Sequence, residues 1–182
     1  MLSMKTSLAI HQLIKIFKSP TYIMLVGPPG VGKSTFIKEF LKQVDNKCHF
    51  HIASTDDLIE IKATEQGITY NDYFHIVDHK KLRREMEAGI ELAFHADISI
   101  IHDQTNMSKK SRASKLYCIP DNYQKFCLNF KLNEKTLQER LDNRGKLTGK
   151  TIPDFVVKSM LSNYEEPSKL EGFDFIFEIN NE

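Results

Sequence analysis

The chain has 182 residues, a net charge of +1, 41% hydrophobic and 27% charged residues, which describes one globular domain with an ordinary core and leaves no room for a second catalytic domain. No apolar run nears the ~20 residues of a membrane span, and residues 1–19 lack a continuous apolar segment with a small-residue cleavage site, so a cytoplasmic address without membrane contact is expected. Cys48, Cys118 and Cys127 are odd in number and lack metal-ligand spacing, so they are expected as reduced packing residues rather than disulfides or zinc ligands.

In chain order, Leu8 or Ala9, Leu13, Ile14 and Phe17 fall at helical spacing and predict an amphipathic helix over 6–18. The short apolar run 22–26 predicts a buried strand. Directly after it, 27–34 reads GPPGVGKS, a full match to GxxxxGKS, and Phe36, Ile37, Phe40, Leu41 and Val44 place a helix over 33–44. Strand, glycine-rich loop and helix N-terminus together form a cradle in which backbone N–H groups and the helix dipole face an anion. A nucleoside triphosphate is the expected ligand. Its contacts would come from Gly27, Pro28, Pro29, Gly30, Val31, Gly32, Lys33, Ser34 and Thr35, with Lys33 reaching the β/γ oxygens and Ser34 ligating Mg²⁺.

A second strand is expected over 48–53, followed in IASTDDL by Asp56 and Asp57. Asp56 sits where a carboxylate can take the proton of an acceptor hydroxyl, while Asp57 or Thr55 is expected to cap the helix 57–66. Gly67 separates that helix from a long amphipathic one over 70–96. The third strand, 98–101, runs into IIHDQTN and brings Asp103 to the same edge, a position suited to Mg²⁺ beside Ser34; Thr105 and Asn106 shape the loop. A basic helix over 108–118, a turn at 120–122 and a fourth strand over 125–132 follow. Asn133 caps a helix through residue 144, on which Arg140 and Arg144 share one face.

Two glycines and two lysines in 145–150 predict a mobile loop, and Arg144 at its edge has the placement of a lid arginine that could fork onto a phosphate. Ile152, Pro153 and Asp154 open a helix to about residue 165, and a fifth strand spans 173–179. Strands alternating with helices predict an α/β fold with a five-stranded parallel sheet, both faces covered, and ligands at the strands' carboxyl ends. Basic residues cluster at 80–84, at 109–115 and at Arg140, Arg144, Lys146 and Lys150, which allows a local positive groove; for the first two groups solvated helix faces, with Glu85, Glu87 and Glu91 near enough to pair, are the alternative. His51, His75, His79 and His102 have no metal-like spacing and are expected to be structural or surface residues.

GPPGVGKST, STDDL, IIHDQTNMSKKSR, RLDNRGK, TIP and YEEPSKLEGFD, in this order across 22–179, resemble the kinase domain of polynucleotide 5′-hydroxyl kinases, both the phage enzymes and the kinase half of animal repair kinase–phosphatases. The resemblance implies a P-loop kinase-like three-layer sandwich forming a single domain over 1–182, with an N-terminal helix in 1–19 and a mobile lid at about 144–152. It implies transfer of the γ-phosphate of ATP, or another NTP, with Mg²⁺, to the 5′-hydroxyl of a DNA or RNA end, with no obligate protein partner. Lys33 and Ser34 match the family's phosphate lysine and metal hydroxyl, Asp56 its general base, Arg144 its lid arginine and Arg140 a second lid arginine.

Two positions depart from the pattern. Ile59 stands where the phage enzyme has an arginine for the acceptor's 3′-phosphate, and Thr55 where an arginine usually precedes the base. Phosphate contacts would then fall to Lys109, Lys110, Arg112 or the 80–84 cluster. There is no phosphatase DxDxT motif. A small hydroxyl compound (a nucleoside, sugar or sugar nucleotide) is the alternative acceptor, and a non-catalytic NTP-binding switch the alternative of a different class.

Overall fold

Every strand of the sheet runs parallel to its neighbours: β1 (Ser3–Met4), β2 (Thr21–Val26), β3 (Phe50–Ala53), β4 (Ser99–His102), β5 (Gln124–Lys131) and β6 (Phe175–Asn180), in the spatial order β1-β6-β5-β2-β4-β3. The computed structural model describes residues 3–45 and 48–180; the remaining residues of the expected segment 1–19 and domain 1–182 lie outside the described ones. Five strands are those expected from sequence. The sixth, β1, is a two-residue edge that pairs Ser3 with Glu178 and Met4 with Ile179, too short to leave a periodic signal.

The helices among the described residues are α1 (Thr6–Ile16), α2 (Lys33–Gln43), α3 (Thr55–Glu65), α4 (Tyr70–Ile76), α5 (His79–His95), α6 (Lys109–Leu116), α7 (Glu134–Thr148) and α8 (Asp154–Ser162). Central β2 is buried at all six positions, as a parallel strand covered on both faces must be. Its Ile23 and Leu25 pack with Leu13, Phe36 and Phe40 from α1 and α2, while Tyr22, Met24 and Val26 pack with Met86, Ala93 and Leu116 from α5 and α6. The three layers follow from that alternation.

Three local expectations are corrected. The long helix over 70–96 is two helices, because Val77 and Asp78 are extended and the Asp78 carboxylate accepts the N–H groups of Lys80 and Lys81, starting α5 afresh. Ser54, rather than Asp57 or Thr55, caps α3: its hydroxyl accepts from the Asp57 N–H at 3.1 Å, which leaves Asp56 and Asp57 in the first turn. Helix α7 continues through Gly145 to Thr148 and stops at Gly149, whose φ of 71° ends it in the left-handed conformation. Most of the expected loop 145–150 is thus helix.

Arg112 is the fourth correction. It lies on α6, inside the supposed solvated face, yet its side chain is 0% exposed. Its Nε and second terminal nitrogen donate to both carboxylate oxygens of Glu171 at 2.8 and 2.9 Å, and the other terminal nitrogen donates to the carbonyls of Asn106 and Met107. Such a fork ties α6 to the turn Lys169–Glu171 and to the loop behind Asp103, and removes Arg112 from any phosphate-binding role. Arg112→Ala strands the Glu171 carboxylate, 2% exposed, without its counter-ion. We expect a loss of about 3–5 kcal/mol in urea denaturation; a change below ~1 kcal/mol would contradict this account of the pair.

Candidate active site

β2 delivers the chain to the loop 27–32 at the carboxyl edge of the sheet, where the Gly27 N–H donates to the Thr105 carbonyl at 2.9 Å. Two glycines meet separate demands there. Gly32 takes φ 107° at the cap position of α2 and provides no side-chain cap, so the first-turn N–H groups of that helix are left to an anion. Gly30 has φ 82°, and a Cβ there would stand 2.9 Å from Leu141 Cδ2 on α7, so the loop and the lid helix pack too closely for any side chain. Val31 is buried in the core, whereas Pro29, Gly30, Gly32, Lys33, Ser34 and Thr35 line a cavity of about 1670 Å³ over the sheet edge.

Lys33 is folded back over the loop, its Nζ donating to the carbonyls of Gly27 and Pro28, both at 2.9 Å. Burial lowers its pKa to about 8; the charges of Asp103 and Asp56 oppose that shift, and Arg144 adds to it. Asp103, held at the end of β4 by its N–H to the Ala53 carbonyl at 3.0 Å, accepts a hydrogen bond from Ser34. Burial raises its pKa, with Lys33 pulling the other way. Among the described residues no group of three or more His, Cys, Asp or Glu is arranged to hold a metal. A hydroxyl and one carboxylate fit Mg²⁺ all the same, since this ion takes most of its oxygen ligands from water and phosphate rather than from a protein cage.

Across the cavity stand Asp56 and Asp57 in the first turn of α3. The hydroxyl of Tyr70, on α4, donates to Asp56 Oδ1 at 3.0 Å, and burial followed by the Asp56 charge raises the tyrosine's pKa. The Asp57 pKa is also raised, mainly by burial. From the lid side, Arg144 lines the same cavity, but Arg140, one turn earlier, does not. Past the end of α7, the Gly149 carbonyl accepts from Asn71, while Lys150 pairs with Glu60 and sits 4.1 Å from the centre of the Tyr70 ring. The segment 149–150 is therefore seated on α3 and α4, with Arg144 close enough to the loop for its charge to act on Lys33.

The structure thus brings Lys33, Ser34, Asp56, Asp103 and Arg144 around one cavity. Sequence reasoning missed Tyr70, Glu60 and Asn71, whose contacts depend on how α4 folds back and leave no motif; Lys150 is expected only as part of a basic cluster with Arg140, Arg144 and Lys146. Of the basic clusters, Arg83 and Lys115 reach the cavity, Lys109 and Lys110 do not, and Glu85 pairs instead with Lys62 at 2.9 Å. His102 is buried in the cavity wall, between the Tyr22 hydroxyl and Gln104, and burial lowers its pKa to about 3. The three cysteines are free, with Cys127 buried but Cys118 exposed.

A glycine loop between strand and helix, at the carboxyl edge of a parallel three-layer sheet, defines a P-loop kinase-type fold, and with it nucleoside triphosphate binding. The model of the AAA domain family (AAA_33) matches residues 23–167, and the chain belongs to this family as a P-loop kinase domain. It is similar to the L-seryl-tRNA(Sec) kinase of Methanococcus maripaludis, with 27% identity over 155 residues that cover 84% of this chain and 55% of that protein. It is also similar to a chain of the Pnkp1/Rnl/Hen1 RNA repair complex, at 25% identity and TM-score 0.64 over 80% of this chain and 44% of that one. The chain spans about half the length of these two relatives. A gluconokinase from Sinorhizobium meliloti 1021 shares the fold, at 18% identity and TM-score 0.53 over 90% of this chain and 83% of the other. No helix among the described residues is long and apolar enough to cross a membrane.

Proposed function

We propose that the chain transfers the γ-phosphate of ATP, or another nucleoside triphosphate, to the 5′-hydroxyl of a DNA or RNA end. The observation that carries this reading is the opposition of Asp56 to Lys33 across one cavity, with Arg144 on the lid side. In the proposed reaction the acceptor oxygen forms a bond to the γ-phosphorus, the bond to the β,γ-bridging oxygen breaks, and the hydroxyl proton passes to Asp56. Tyr70, donating to Asp56, holds that carboxylate toward the acceptor. Lys33 and the N–H groups of α2 hold the phosphates, and Arg144 stabilises charge on the transferred group. Mg²⁺, held by Ser34 and Asp103, would supply neutralisation of phosphate charge. Arg140 does not line the cavity, so the lid role falls to Arg144 here.

Acceptor identity is supported by relatives whose names point to RNA, a tRNA kinase and an RNA repair complex, and by Arg83 and Lys115 in the cavity wall. One observation favours the small hydroxyl compound instead. Ile59, at the position of the expected phosphate-binding arginine, is 2% exposed and packs with Ala63, Tyr73 and Leu82, so no cation replaces the missing one at that place.

Label from γ-labelled ATP offered to 5′-OH oligonucleotides, nucleosides and sugars separates the readings. We expect label at the 5′ end of the oligonucleotide, with affinity falling steeply between about 50 and 200 mM salt as phosphate contacts are lost. Label confined to nucleosides or sugars would contradict the proposal, and absence of any acceptor-dependent ADP release would favour the switch. A second outcome concerns Lys33, whose pKa of about 8 must rise beside a triphosphate. Nucleotide binding at about pH 8.5 therefore takes up a fraction of a proton. Calorimetry in buffers of differing ionisation enthalpy detects this, and proton release, or equal uptake by Lys33→Met, would contradict the assignment.

A further inference from the structure

Helix α4 is anchored to the protein by Tyr73, which is buried with Ile59, Ala63 and Leu82. One residue on, Phe74 belongs to no core cluster, is 40% exposed, and faces the cavity that holds Asp56. It is not isolated there. The Phe74 ring stacks on Tyr70, with centroids 6.0 Å apart and planes within 23° of parallel, and the Tyr70 hydroxyl is the group bonded to Asp56. The His79 ring lies 4.8 Å from that of Phe74, edge to face, with its Nε2 at 3.0 Å from the Phe74 carbonyl. The strip that Tyr70 and Phe74 form thus starts at the candidate base and leads away from it along the cavity wall, while His79 does not line the cavity.

The strip continues into positive charge. His79 and Arg83 are four residues apart on α5 and so share a face, Arg83 lines the cavity, and its charge is felt by Lys115 on α6 across the gap. Glu87, one further turn along α5, ends this basic stretch. An exposed aromatic ring in a cavity wall is a surface on which a flat ring can stack. An unpaired nucleobase offers a flat π-face for it, and the phosphate that follows such a base in a strand needs a cation just beyond.

Resting on the acceptor reading above, we propose that Phe74, backed by Tyr70, is the stacking platform for the first base of a single-stranded 5′ end, and that Arg83 with Lys115 receives the next phosphate. The platform positions the acceptor: Asp56 is reached by a hydroxyl whose own base is stacked two side chains away. Duplex ends then enter only after their terminal base is unpaired, so single-stranded or frayed ends are the favoured substrates.

The test uses the full chain and 5′-OH oligonucleotides whose first nucleotide is either intact or abasic. Phe74→Ala raises KM for the intact acceptor about ten-fold or more, the size expected for one lost base–aromatic stack, and leaves KM for ATP unchanged. With the abasic acceptor the wild type is already weak, and Phe74→Ala changes nothing further. The chain contains no tryptophan, so Phe74→Trp introduces a single reporter. Its fluorescence should be quenched saturably by the intact oligonucleotide and not by the abasic one. A wild type that phosphorylates oligonucleotides while Phe74→Ala matches it on both acceptors would overturn the platform and spare the acceptor reading. A wild type that phosphorylates no oligonucleotide would overturn both.

Discussion

The buried ammonium of Lys33 organises the carboxyl edge of the sheet. A lysine that is 8% exposed and bonded to two neutral carbonyls of its own loop sits where an anion would be a stronger partner than either. Burial lowers its pKa to about 8, so the charge is held there at a cost that a triphosphate would offset. Around it the sheet sets the other groups. Parallel strands with helices on both faces bring the ends of β2, β3 and β4 to one edge, so the loop 27–32, Asp56 and Asp103 meet without any long-range motif linking them.

Opposite the loop, the wall that carries Asp56 and the segment that follows α7 are physically joined. Asn71 and Tyr70 on α4 hold Gly149 and Lys150, Lys150 also pairs with Glu60 on α3, and Leu141 on the same helix as Arg144 packs where Gly30 has no side chain. The helix that carries Arg144 thus touches the loop 27–32 through Leu141, and the segment that follows it touches α3 and α4. This gives physical content to a lid that the sequence expects only as a glycine-containing loop, since the element that bears the arginine is a helix and only its exit, from Gly149 onward, is irregular.

Most of the fold is legible in the chain because its signals are local: five apolar strand runs, the glycine loop, Asn133 and Ser108 at helix starts. What the sequence hides is set by partners far along it. Arg112 looks like one more lysine-and-arginine surface position until Glu171, 59 residues later, is brought against it. The break at Val77–Asp78 leaves only a small trace, the gap in apolar spacing between Val77 and Leu82, and it is the Asp78 cap that makes the new start. At the site, Lys33, Ser34, Asp56, Asp103 and Arg144 are legible as residues that meet in one cavity, Arg140 is expected there and does not line it, and Tyr70 and Phe74 are invisible because nothing in a seven-residue helix says which wall it will form.

The central claim is that Asp56 serves the acceptor and Lys33 the donor, across a single cavity. Its most direct measurement is Asp56→Ala assayed for both phosphate transfer and nucleotide affinity on the same preparation. The account predicts a loss of about 10²–10⁴-fold in kcat, the range for removal of a general base, with nucleotide binding no weaker than in the wild type. Full transfer by Asp56→Ala, or nucleotide binding lost together with transfer, would contradict it.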